Sequence, residues 1–182
     1  MEDLSLHVLD IAENSINAGA RNIEIIITED SLTDTMTLEI NDDGKGMGPS
    51  ELASARSPFY STRTTRRIGM GLALLDEAAQ SSGGSLDIHS APLRGTRVRA
   101  TFRLGHIDRK PLGNMAETVA ALIAGHNDID VTYRHRKDGR SVSMDTREIR
   151  GKLEGSPVDA PDVLAFIRRY LDQEEKSLTQ HA

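Results

Sequence analysis

The sequence predicts an α+β protein, a two-layer sandwich with helices on one face of a largely antiparallel sheet, followed by a small C-terminal α/β extension. Three observations carry that expectation. Helical and strand periodicities alternate as helix, two strands, loop, helix, two strands. A composition break with Pro111 and Gly113 follows, and the remainder runs helix, hairpin, helix. The units expected are residues 1–105 and 106–182. With 182 residues the chain can bury a core as one domain, or as a domain with an appendage.

Each element has its own signal. Over residues 4–18, Leu4, Val8, Ile11 and Ser15 form one stripe with Leu9, Ala12 and Ile16 beside it, and Gly19 stops the helix. Residues 22–28 and 36–41 read as strands, the second alternating Met36, Leu38 and Ile40 with Thr37 and Glu39, around a turn at residues 30–34. Residues 50–55 suit a short helix. Residues 57–71 are polar and contain Pro58 and several arginines, which reads as a mobile loop. Residues 72–81 resume helical spacing until Gly83 and Gly84. Residues 86–90 and 96–104 form strands, with Val98, Ala100, Phe102 and Leu104 facing inward. Beyond the break, residues 115–124 read as a helix, 129–136 and 141–145 as a hairpin around Asp138-Gly139, and 162–176 as a last helix after Pro161.

Composition excludes several function classes. There are 28 acidic and 22 basic residues, a net charge of -6, and neither half carries a basic excess, so nucleic acid is not an expected partner. There is no cysteine, hence no disulfide framework and no thiolate site. The longest wholly apolar stretch near the middle, residues 119–124, falls far short of the roughly 20 residues a bilayer needs. The start lacks the basic and apolar pattern of an export signal, and a soluble cytoplasmic protein is expected. The six histidines show no pair at zinc spacing. The Arg134-His135-Arg136-Lys137 run reads as a solvated hairpin tip.

Chemistry concentrates in three places. Asp10 and Asn14 are four apart on the first helix, with Asn17 continuing their stripe. Alone, that stripe reads as the wet side of an amphipathic helix. Asp42 ends a strand just before Gly44-Lys45-Gly46-Met47-Gly48, where alternating glycines bring backbone close to something. A calcium-binding EF-hand loop is out, because counting from Asn41, Asp42 or Asp43 its twelfth position falls on Leu52, Ala53 or Ser54. Gly69-Met70-Gly71 precedes the helix starting near Leu72, whose free N–H groups make a usable anion site, with Arg63, Arg66 and Arg67 upstream. The Walker phosphate loop and the dinucleotide fingerprint are both absent.

Together and in this order, these segments resemble the ATP-binding (Bergerat) domain of the GHKL superfamily, which joins histidine kinases, DNA gyrase, the large heat-shock chaperones and the mismatch-repair ATPases. The resemblance covers residues 4–105. Glu13-Asn14-Ser15-Ile16-Asn17-Ala18-Gly19-Ala20 is similar to the asparagine box of the mismatch-repair branch, and Asp42-Asp43-Gly44-Lys45-Gly46-Met47 to the first glycine box. Pro58-Phe59-Tyr60-Ser61-Thr62-Arg63, then Gly69-Met70-Gly71-Leu72, Gly83-Gly84 and Gly95-Thr96, resemble the histidine-kinase branch with a short ATP lid.

The resemblance implies ATP and magnesium (Mg2+) as cofactors. Asn14 would bind the Mg2+ ion and Asp42 would accept from the adenine amino group. Gly46 and Thr96 would complete the adenine contacts, and Gly69 and Gly71 would let the lid backbone approach the phosphates. Arg63 stands where related kinases often carry a basic residue, and Gly44, Met47 and Leu72 belong to the same implied nucleotide-binding set. Hydrolysing relatives carry glutamate four before the magnesium asparagine; this chain has Asp10, the candidate catalytic residue, which implies slow or absent hydrolysis. Histidine kinases carry a basic residue where this chain has Asn17, and a phosphoacceptor hairpin usually before the ATP domain, inside which this chain is expected to begin. His7, in the same helix as Asn14, is badly placed to reach its own γ-phosphate. Three functions follow: a stand-alone kinase-like module acting on a partner protein, an ATP-hydrolysing switch that closes into a homodimer, and an ATP or ADP sensor. Residues 106–182 suggest docking, dimerisation or extension of the sheet.

Overall fold

The computed structural model describes residues 3–55, 71–153 and 155–179. In chain order the elements are α1 (Leu4–Asn17), β1 (Asn22–Asp30), β2 (Thr35–Asp42), α2 (Pro49–Ala55), α3 (Gly71–Ser81), β3 (Ser85–Ser90) and β4 (Thr96–Arg103). They continue with α4 (Met115–Gly125), β5 (Asp130–Lys137), β6 (Arg140–Asp145), α5 (Thr146–Lys152) and α6 (Pro161–Thr179). The loop expected at residues 57–71 lies outside the described residues except for Gly71, which opens α3.

Six strands form one sheet in the order β3-β4-β2-β1-β5-β6. All neighbours run antiparallel except β1 and β5, which are parallel. The expected α+β sandwich is therefore what the chain builds, and the strands of residues 106–182 continue the same sheet rather than form another. Register explains the layering. Ile25 pairs with Ile40 and Tyr133, Ile40 with Val98, and Val98 with Ile88, so one inward row crosses from β3 to β5. These residues are buried, while Glu24, Glu39, Arg97, Arg99 and Arg134 occupy the opposite face.

The apolar face is covered by α1, α3, α4 and α6, whose inward residues include Leu4, Val8, Leu75, Val119, Leu122, Ile167 and Leu171. Helix ends are fixed by side chains. Asp3 caps α1 by accepting from Leu6 N at 3.2 Å, and Asn114 caps α4 by accepting from Glu117 N at 3.0 Å. Among the described residues no helix is long and apolar enough to cross a membrane.

Two local expectations change. α5 is an extra helix that no apolar periodicity announced; Asp145, the last residue of β6, starts it by accepting from Arg147 N at 2.8 Å. The Arg134–Lys137 run is not a solvated tip throughout. His135 is 1% exposed, because the strand alternation that turns Arg134 and Arg136 outward turns it into the core.

Candidate functional site

Asp42 stands at the end of β2, where the sheet stops and the glycine loop begins. Its carboxylate is half-buried and held from three directions. Oδ1 accepts from Gly44 N at 2.9 Å and Thr96 N at 3.2 Å, and Oδ2 accepts from Ser15 Oγ at 2.7 Å. Ser15 has one proton and two acceptors in reach, Asp42 and Ile11 O at 3.1 Å; the shorter, charged contact takes it. A carboxylate offers about four acceptor positions, so Asp42 is fixed in orientation yet keeps capacity for one more donor. Neighbouring Asp43 differs in kind. It accepts from Arg21 N, Asn22 N and Asn22 Nδ2 at 2.7, 2.9 and 2.6 Å; burial opposes its charge, and these bonds outweigh burial and hold its carboxyl below the usual range.

The glycine loop is clamped at both ends. Lys45 N donates to Ala18 O at 3.0 Å, beneath the end of α1, and Leu93 N donates to Lys45 O at 2.7 Å, from the β3–β4 turn. Gly46 has φ +66°, and a Cβ there would lie 1.9 Å from Ala91 O, so only glycine fits. Met47 N donates to Ser90 Oγ at 2.8 Å, and Ser90 Oγ lies 2.9 Å from Gly95 O and 3.0 Å from Thr96 Oγ1. Because Ser90 must give its proton to the Gly95 carbonyl, Thr96 is the donor in their bond. Met47 and Leu72 pack part-buried against the core.

On α1, Asp10 and Asn14 share a face as their spacing predicts. Asn14 is half-buried, and its side-chain amide makes no hydrogen bond among the described residues. Asp10 meets the start of α3: a Cβ on Gly71 would lie 1.7 Å from Asp10 Oδ2, so glycine is what lets the carboxylate pack against the start of that helix. Burial, and then the charge of Glu13, raises the Asp10 pKa above the ordinary aspartate value. Asn17 is exposed and donates to Glu13 O at 2.7 Å. Arg63 and Gly69 lie outside the described residues. His7 is 1% exposed, and burial, then Lys110, lowers its pKa to about 4.

The structure thus brings Asp10, Asn14, Asp42, Gly44, Gly46, Met47, Gly71, Leu72 and Thr96 onto α1, the glycine loop, the start of α3 and the β4 edge. Sequence reasoning missed Ser15 and Ser90. Ser15 was read as part of the apolar stripe, and its one usable signal was a polar residue among Leu4, Val8 and Ile11.

Residues 2–106 match the family model described as histidine kinase-, DNA gyrase B-, and HSP90-like ATPase. The sensor protein kinase FleS of Pseudomonas aeruginosa is 36% identical over 110 residues, 60% of this chain and 27% of that protein. The non-motile and phage-resistance protein of Caulobacter vibrioides is 30% identical over 112 residues, 57% of this chain and 13% of its own. The chain therefore spans 13% to 27% of the length of these relatives. Among solved structures, the Aquifex aeolicus MutL ATPase domain complexed with ADP matches with a TM-score of 0.51 at 15% identity, covering 79% of this chain and 64% of that one. The N-terminal domain of a DNA repair protein matches with a TM-score of 0.55 at 17% identity, covering 79% and 52%. At these identities the structural likenesses show a shared fold, while the family model spans more than half of the sequence: this chain belongs to the histidine kinase-, DNA gyrase B-, and HSP90-like ATPases.

Proposed function

We propose that the chain is a Mg-ATP-binding module of histidine-kinase-like type that phosphorylates or regulates a partner protein. The observation that carries this reading is the Asp42 carboxylate, oriented by Ser15, Gly44 and Thr96 with one acceptor position spare. An adenine amino group fills that position. Guanine presents a carbonyl there, and two acceptors facing each other cost affinity, so ATP is preferred over GTP.

Gly44, Gly46, Met47 and Thr96 line the base in this reading, and Leu72 closes on it from the start of α3. The phosphates extend toward Asn14 and the first turn of α3 at Gly71, with Gly69 and Arg63 of the lid segment contributing. The Asn14 amide, unbonded among the described residues, suits an oxygen ligand for magnesium, which when bound neutralises phosphate charge. Residues 106–182 serve as an extension of the sheet bracing α1, and the partner or second copy is met outside the base site.

Asp10 supports a second reading, hydrolysis. Its carboxylate lies against the helix start proposed for phosphate, and its burial raises its pKa, which makes it a better proton acceptor when ionised. Titration calorimetry with Mg-ATP, together with γ-labelled Mg-ATP, tests both. Binding that Asp42→Asn weakens strongly supports the module; absence of binding in the unmodified chain overturns it. Phosphate release lost in Asp10→Asn assigns hydrolysis, and binding without release leaves transfer to a partner or sensing.

A further inference from the structure

Glu13 sits between the two residues of α1 on which the proposed phosphate site depends, and something outside that site holds it. At about 100° per residue, Asn14 and Asp10 lie roughly 40° apart around the helix, while Glu13 projects about 100° away from Asn14. There its carboxylate meets His126, the residue that ends α4, with Nε2 3.0 Å from Oε1 and 3.1 Å from Oε2. A carboxylate accepts only, so Nε2 carries the hydrogen. His126 is itself fixed, its N–H donating to Leu122 O at 3.0 Å. The same loop ties down the next stretch of chain, since Asp128 pairs with Arg21 and Asp130 N donates to Arg21 O at 2.8 Å.

We infer that His126 is a positioning residue for the nucleotide site, holding the Glu13 carboxylate on the α4 side of α1 and away from the triphosphate and its magnesium ion. The inference rests on the Mg-ATP reading above. Glu13 is close enough to act on this site, because its charge already raises the proton affinity of Asp10. Released, the carboxylate swings toward Asn14 and adds a negative charge where the phosphates carry theirs. The C-terminal segment thereby tunes the phosphate end of the site and leaves the base end, built on Asp42 and Thr96, untouched.

The test uses the full chain and titration calorimetry with two probes, Mg-ATP and adenosine. His126→Ala is expected to weaken Mg-ATP about fivefold, the size of one nearby charge in a solvated setting, with adenosine affinity unchanged. Adding Glu13→Gln to His126→Ala restores Mg-ATP binding, because the liberated side chain is then neutral. His126→Gln keeps a donor at similar reach and binds as the unmodified chain does. Equal Mg-ATP affinity in His126→Ala, parallel weakening of adenosine, or failure of Glu13→Gln to restore binding each overturns the inference. An unmodified chain that binds neither probe instead removes the nucleotide reading itself.

Discussion

Two clusters of polar groups are held against the same sheet, and they are finished differently. Around His135 the charged groups are paired with one another. Its Nδ1 lies 2.7 Å from Glu175 Oε2 and its Nε2 3.2 Å from Glu29 Oε1, Tyr133 Oη donates to Glu175 Oε1 at 2.7 Å, and Lys137 Nζ pairs with Glu29 Oε2 at 3.2 Å. Around Asp42, among the described residues, three neutral donors converge, no cation pairs with the carboxylate, and one acceptor position stays spare. The first cluster spends its charges on one another and pins α6 to β5 and β1. The second holds a carboxylate with neutral donors, rigid enough to select one more donor and with a position left to receive it. Buried polarity points to a site where a fixed charged group is left without a partner of opposite sign.

The largest expected effect breaks the charge-paired cluster. Glu175→Ala strips the Tyr133 hydroxyl and one ring nitrogen of His135 of their acceptor inside the protein, which costs about 3–5 kcal/mol in urea unfolding. Nucleotide affinity of the folded protein stays unchanged. A midpoint equal to that of the unmodified chain shows that α6 does not depend on this cluster.

Asp42→Asn acts the other way, on binding and not on stability. The amide can keep accepting through its oxygen, but its NH2 group sets a donor against the adenine amino donor. Mg-ATP affinity falls about a hundredfold, about 3 kcal/mol, while thermal unfolding moves by less than about 1 kcal/mol. Calorimetry and melting on the same preparation separate the two. A large loss of stability with affinity preserved reverses the assignment of the clusters.

The pH dependence sharpens the comparison, since two buried histidines carry opposite shifts. For His135, burial alone favours the neutral ring, but Glu175 and Glu29 outweigh it and raise its pKa to about 9 from 6.5. A raised folded pKa means stability present in full below about 6.5 and lost as pH rises through about 9, up to roughly 3 kcal/mol. His7, at about 4, is lowered. Its folded form refuses the proton that the unfolded chain takes, so stability falls as pH drops from about 6.5 toward 4, by a similar amount. Unfolding free energy is therefore greatest near pH 6.5. His135→Leu removes the alkaline limb and His7→Leu the acid limb; a limb that survives its substitution belongs to another group.

How much of this was legible follows from the range of each signal. The face shared by Asp10 and Asn14 came from helical spacing, and the loop after Asp42 from its alternating glycines, both local patterns. The order of strands was not local. Nothing in residues 130–145 announces that β5 runs parallel beside β1 while β6 closes the edge, because pairing is decided by inward rows that meet only in the sheet. His135 was misread for the same reason: flanked by Arg134 and Arg136 it carries a surface composition, and only its register against Ile27 turns it inward. His126 lies 113 residues from Glu13, beyond any spacing argument.

Ser15 gives the smallest effect and the finest test, because it touches the base site from below without lining it. Its hydroxyl is buried, and Ser15→Ala removes one donor to Asp42 Oδ2 while leaving Gly44 N and Thr96 N on Oδ1. The carboxylate then keeps its place but gains freedom to rotate. If orientation is what Ser15 supplies, Mg-ATP and adenosine weaken alike, by about 1 kcal/mol or roughly fivefold, since both present the same amino group. Ser15→Thr retains the donor and is expected to keep affinity if its methyl is accommodated beside Ile11. A loss confined to Mg-ATP instead places the action of Ser15 at the phosphates through its neighbour Asn14, which moves the boundary between the two ends of the site one residue along α1.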